Sequence, residues 1–70
     1  MRPLTDFERS VLDFERLAHE HMSDKVEAIS NTFDVSPGRY YQFLGSIIKK
    51  DAALAYDALL VRRLRRIRRW

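Results

Sequence analysis

Apolar residues recur at helical spacing along almost the whole chain. Leu4, Phe7, Val11, Phe14 and Ala18 alternate three and four apart, which puts them on one stripe of a helix. Thr5 stands ahead of most of that stripe, with Glu8 three residues on. This T-x-x-E pair is a capping box, in which the hydroxyl accepts from a free backbone N–H and the carboxylate reaches back. The spacing predicts a first helix from there to about Met22. Ser23 or Asp24 can cap a second helix over residues 25–33, which would bury Val26, Ile29 and Phe33. Asp34 follows where such motifs often carry glycine; aspartate tolerates a left-handed backbone better than most residues, though less readily than Gly or Asn.

Val35 should point into the core. Ser36 is a strong N-cap, and Pro37 suits the first helical position, where its missing N–H costs nothing. The third helix should run to about Lys49, with Tyr40, Phe43, Leu44 and Ile47 turned inward. Gly45 weakens its interior by about 1 kcal/mol relative to alanine and permits close packing. Asp51 is expected to cap a short helix to Tyr56, and Asp57 a last helix from Ala58. Leu60, Val61, Leu64 and Ile67 would face the body, with Trp70 extending that row or staying free. The expected fold is all-α: a small helical bundle of four to five helices containing a helix-turn-helix. It is read as one domain over residues 1–70, with a basic C-terminal helix over 61–70.

Two local features invite other readings. Asp6-Phe7-Glu8-Arg9 returns seven residues later as Asp13-Phe14-Glu15-Arg16. Two heptads fall short of the three or four that argue a coiled coil, so the repeat reads as Phe7 and Phe14 entering the core. His19 and His21 lie two apart, and each helical step turns about 100°, so they point to nearly opposite sides. They cannot chelate one ion together, and no metal or cofactor is expected. Both histidines read as solvent-exposed near a helix end.

Composition narrows the class. Seventy residues make a limited core, and the chain has no cysteine, which excludes disulfides and thiolate zinc sites. Stability must come from helix packing, with homodimerisation as a further source. No apolar run approaches the ~18 residues that span a bilayer, and MRPLTDFERS has no apolar signal region. A cytoplasmic, nucleoid-associated location is the expectation, with no membrane partner. The net charge of +3 hides an asymmetry. Residues 1–35 carry eight acids against four bases; residues 36–70 carry nine bases against Asp51 and Asp57. So basic and arginine-rich a half suggests a polyanionic partner.

The candidate chemistry lies between Ser36 and Lys50, a stretch without an acid. In helix-turn-helix proteins the second helix enters the major groove with its N-terminal residues over base edges. Arg39 can contact guanine in bidentate fashion and Gln42 adenine, while Tyr41 offers a ring and a hydroxyl to a thymine methyl or a phosphate. Gly38 lets backbone approach closely. Ser36, Lys49 and Lys50 suit phosphate contacts, which position without specifying. The bland alternative is ordinary bundle anatomy.

The tail adds Arg62, Arg63, Arg65, Arg66, Arg68 and Arg69, six arginines in eight residues. Like charges three and four apart oppose the free helix by about 0.2–0.5 kcal/mol per pair. The last two turns should therefore fray alone and order on a polyanion. A solvated face and a helix lying on an anionic membrane are the competing readings; the apolar face is narrow for the latter. No nucleophile–base set, phosphate loop or H-E-x-x-H motif is present. Neither catalysis nor a small-molecule substrate is expected, and so small a domain has little room for a deep pocket.

The segments FERSVLDFER, AISNTFDVSPGRYYQFLGSIIKK and ALLVRRLRRIRR together resemble a family of short actinobacterial and actinophage proteins known only as a domain of unknown function. The resemblance is most specific in Arg39-Tyr40-Tyr41-Gln42 and from Leu60 to Arg66. It implies a helix-turn-helix protein, loosely similar to the promoter-reading region of sigma factors, and supplies no site residues. Ala58 departs from it, standing where proline is expected after Asp57. Three functions compete. The first is a small DNA-binding transcriptional regulator acting on double-stranded DNA. The second is an interaction module docking on transcription machinery such as RNA polymerase or a sigma factor. The third is a sequence-nonspecific nucleic-acid binder.

Overall fold

Five helices form among the described residues, four of them behind a side-chain cap, in a computed structural model that describes residues 2–21 and 23–68. They are α1 (Asp6–His21), α2 (Lys25–Phe33), α3 (Pro37–Ile47), α4 (Asp51–Tyr56) and α5 (Ala58–Ile67), with no strand among the described residues. Met1, Met22, Arg69 and Trp70, and the side chains of Glu20 and His21, lie outside what is described.

The capping box is complete. The Glu8 backbone N–H donates to Thr5 Oγ1 at 3.1 Å, and the Thr5 N–H donates to Glu8 Oε1 at 2.9 Å. Asp24, not Ser23, caps α2, accepting from the Glu27 N–H at 3.1 Å. Asp34 sits at φ 55°, ψ 40°, and its N–H closes the end of α2 on the Ser30 carbonyl. Ser36 caps α3 through the Arg39 N–H at 3.2 Å, with Pro37 at the first position. Asp57 caps α5 through the Leu60 N–H at 3.4 Å. Asp51 does not cap α4: Lys50 holds that position without a side-chain bond, and Asp51 lies in the first turn, where a carboxylate favours the helix dipole.

α2 packs on α3, α1 on both α3 and α5, and α4 on α5. The core they enclose is centred on Val11, Leu12, Ile29, Tyr40, Leu44, Ile48, Ala53 and Val61. Fully burying a side chain such as Leu44 contributes about 1.5–3 kcal/mol relative to exposing it. Phe14 and Phe33 meet edge-to-face at 5.2 Å, and Phe14 meets Tyr40 at 5.8 Å.

The stripes differ from expectation at their ends. Phe7 is 42% exposed, because it lies in the first turn of α1 at the edge of the bundle, where it leans on Phe33 and Phe43. Val26 is 58% exposed: α2 is short, and Ile29, one turn on, is its buried residue. Ile67 is 51% exposed in the last turn of α5. Leu12, outside the predicted stripe, is fully buried, since α1 faces α3 and α5 together and needs a wider apolar face. α3 stops at Ile47, with Ile48 buried just beyond. No described helix is long and apolar enough to cross a membrane.

Candidate nucleic-acid interface

α3 turns Tyr40, Leu44, Gly45 and Ile47 inward, so the 3.6-residue period sends Arg39, Gln42 and Ser46 outward. All three are exposed, as is Gly38, beside which a Cβ would meet nothing within 4 Å. The Arg39 guanidinium lies 5.4 Å from the Phe43 ring centre, which steadies a long side chain at the surface. Tyr41 is half-buried at the margin of this face. The Lys25 ammonium of α2 stands 5.2 Å above its ring.

The C-terminal end of α5 reaches the same place. α5 ends at Ile67, and Arg68 leaves the helix with φ −58°, ψ 123°. Arg68 then joins Gly38, Tyr41 and Gln42 around an open groove of about 310 Å³. Arg65 is fixed from one side, its Nε donating to the Ile48 carbonyl just past α3. The structure thus brings Gly38, Tyr41, Gln42 and Arg68 together, while Arg39 lies over Phe43 on the other side of the exposed face and Arg65 is held at Ile48. Arg62 and Arg66 are exposed on α5, and Arg63 is half-buried toward α1. Arg69 lies outside the described residues.

The remaining sequence candidates have other duties or positions. The Ser36 hydroxyl accepts the cap bond and keeps its own proton to donate. Lys49 is exposed after α3. Lys50 is ion-paired with Glu8 across to α1 and lines an opening with Arg2, Pro3 and Asp51, away from the Arg68 groove. On that flank of α3, Phe7, Phe43 and Ile47 line an apolar groove of about 280 Å³ edged by Thr5 and Glu8. Asp6 there pairs with Arg9, and Glu8 with Lys50. The Lys50 hydrogen bond, helped by the Thr5 N–H, holds the Glu8 carboxyl below the usual glutamate range.

One polar unit was absent from the sequence reading. Glu15 is only 3% exposed, yet it is charged. Its carboxylate accepts from the Lys25 ammonium at 2.8–2.9 Å and from the Tyr40 hydroxyl. This ties α1, α2 and α3 at one point. Burial first, and then the Glu15 charge, push the Tyr40 phenol far above its ordinary value. The available signal was positional: Glu15 falls four residues after Val11 and three before Ala18, on the buried face of α1. The same DFER tetrad therefore serves two environments, with Glu8 half-buried at the edge of the bundle and Glu15 inside.

The chain belongs to the family described as "Protein of unknown function (DUF3263)", which it matches over residues 3–70. No curated protein and no solved structure matches it.

Proposed function

We propose that the chain is a small DNA-binding transcriptional regulator, with α2 and α3 acting as a helix-turn-helix. α3 enters the major groove, Arg39 and Gln42 read base edges, and Tyr41 touches a thymine methyl or a phosphate. Arginines of α5, Arg68 foremost, hold the flanking phosphates. The observation that carries this reading is the groove shared by Gly38, Tyr41, Gln42 and Arg68. It joins hydrogen-bonding side chains on a capped helix to the most basic segment of the chain. Glu8, which borders the groove on the opposite flank of α3, is ion-paired with Lys50, which blunts its repulsion of a phosphate backbone. A nucleoid location follows from such binding.

Selection from a random duplex pool at moderate salt tests the proposal. An enriched motif supports it, and a palindromic one supports a homodimer as well, because half-site symmetry mirrors protein symmetry. A pool that stays unenriched, with no retention at low salt, refutes it. One observation favours docking on transcription machinery instead: the Phe7–Phe43 groove with Arg39 stacked at its edge is an aromatic and arginine surface of the kind protein partners use. Recovery of a polymerase or sigma-factor partner after nuclease treatment, without duplex binding, would select that reading.

A further inference from the structure

A second opening lies behind the proposed DNA face, where α1, the start of α2 and α5 meet. It is a cleft of about 240 Å³ with an apolar wall made by Ala18, Leu60, Leu64 and Ile67. Ile67 stands half in solvent there, although it terminates the apolar row of α5. Lys25 and Arg63 line the same cleft. Glu15 also borders it, but its charge is already matched by Lys25 and its second oxygen is held by Tyr40. Arg63 has no hydrogen-bond or ion-pair partner among the described residues. The cleft therefore combines an apolar wall with one positive charge that no described residue pairs, and His19 lies at its border.

We propose that this cleft binds a small free amphipathic anion. Its aliphatic part would lie on Ala18, Leu60, Leu64 and Ile67, and its carboxylate or phosphate would take the Arg63 guanidinium, with Lys25 remaining on Glu15 and cancelling that carboxylate's repulsion. Arginine suits such heads because its fork matches two oxygens at once. The volume falls below the roughly 300–1,000 Å³ of sites for drug-sized ligands, so the ligand is short-chained. Occupancy would be felt on the other face through two routes. Lys25 stands over Tyr41, and Ile67 of the cleft directly precedes Arg68 of the groove. This coupling, unlike the binding itself, rests on the function proposed above.

The test is a titration of the full chain, without DNA, followed by amide chemical shifts and thermal unfolding. Octanoate and octyl phosphate should shift the resonances of Ala18, Lys25, Arg63 and Leu64 and raise the melting temperature. Octylamine and acetate should do neither, lacking the charge or the apolar part. Arg63→Gln should weaken octanoate by about tenfold, the loss of one charge-assisted contact. Ile67→Ser should weaken it without touching the Glu15 unit. Both positions reach solvent, so both variants should fold. Equal binding of octylamine, an Arg63→Gln affinity equal to the parent's, or shifts centred on Phe7 and Phe43 would each overturn the proposal. Because no nucleic acid is present, failure of DNA binding leaves this result standing, and the reverse holds too.

Discussion

The buried Glu15–Tyr40 contact allows a quantitative test of how the bundle is held. Tyr40→Phe removes a hydroxyl that is wholly buried and donates to a carboxylate. Glu15 keeps Lys25 at 2.8 Å, so nothing is orphaned. The expected loss is that of one hydrogen bond to a charged group, about 1.5–3 kcal/mol. Glu15→Met keeps a side chain of similar length but leaves the Tyr40 hydroxyl buried without a partner, which costs about 1–3 kcal/mol. Lys25 is 32% exposed and can turn to water, so its lost pair adds little. The double variant has apolar groups at both ends and no orphan. It should recover about 1–2 kcal/mol relative to Glu15→Met, since replacing both partners is cheaper than stranding one. In a domain of this size each kcal/mol moves the melting temperature by about 4–8 °C. Total stability of about 3.5–10 kcal/mol, at 0.05–0.15 per residue, leaves the single variants measurable. Urea unfolding followed by helical circular dichroism reads all four proteins, with an unchanged slope confirming one transition. A double variant whose loss equals the sum of the two singles would refute the coupling.

Further outcomes follow from the same contacts. The raised phenol of Tyr40 means that its folded-state contribution is complete below the ordinary value of 10 and declines as pH rises above it. The stability gap between the parent and Tyr40→Phe should therefore narrow above that pH in alkaline melts. The depressed carboxyl of Glu8 works in the other direction, contributing above the ordinary value of 4.5 and fading as pH falls below it. Acid melts of Lys50→Met and the parent should accordingly converge below about pH 4. At Asp34, φ 55° penalises a branched side chain, so Asp34→Val should lie about 1–2 kcal/mol below Asp34→Gly in thermal unfolding. Ser36→Ala should cost about 1 kcal/mol, read in the same way, because α3 then loses its cap.

The fold was largely legible because its signals are local. Thr5, Ser36 and Asp57 precede apolar periods, and each caps the helix expected of it. Asp24 does so too, once the ambiguity with Ser23 is resolved by the Glu27 N–H. Periodicity says which residues share a stripe, but not where the stripe leaves the bundle. Phe7, Val26 and Ile67 sit on correct stripes at ends with little protein beyond them. Leu12 was missed for the converse reason: a helix touching two partners buries more than one row. The spacing puts Glu15 on the inner side of α1, but composition cannot reveal that Lys25 and Tyr40, ten and twenty-five residues away, converge on it. For the candidate site, the outward set of α3 followed from the period, whereas the meeting of Arg68 with Tyr41 and Gln42 depends on how α5 crosses the bundle. That crossing is tertiary information and leaves no mark in the order of residues.

If α3 selects a duplex while the basic end of α5 supplies charge, a salt series of duplex titrations separates the two contributions. The parent, Arg39→Ala and Arg68→Gln would each be titrated against a selected duplex and an unrelated one by fluorescence anisotropy. The account predicts affinity falling steeply with salt for the parent, with the selected duplex preferred. Arg68→Gln should weaken both duplexes alike and reduce the salt slope by about one contact, and Arg39→Ala should erase most of the preference, about 1–3 kcal/mol for a bidentate base contact. Absence of duplex binding at low salt, or a preference unchanged by Arg39→Ala, would contradict it.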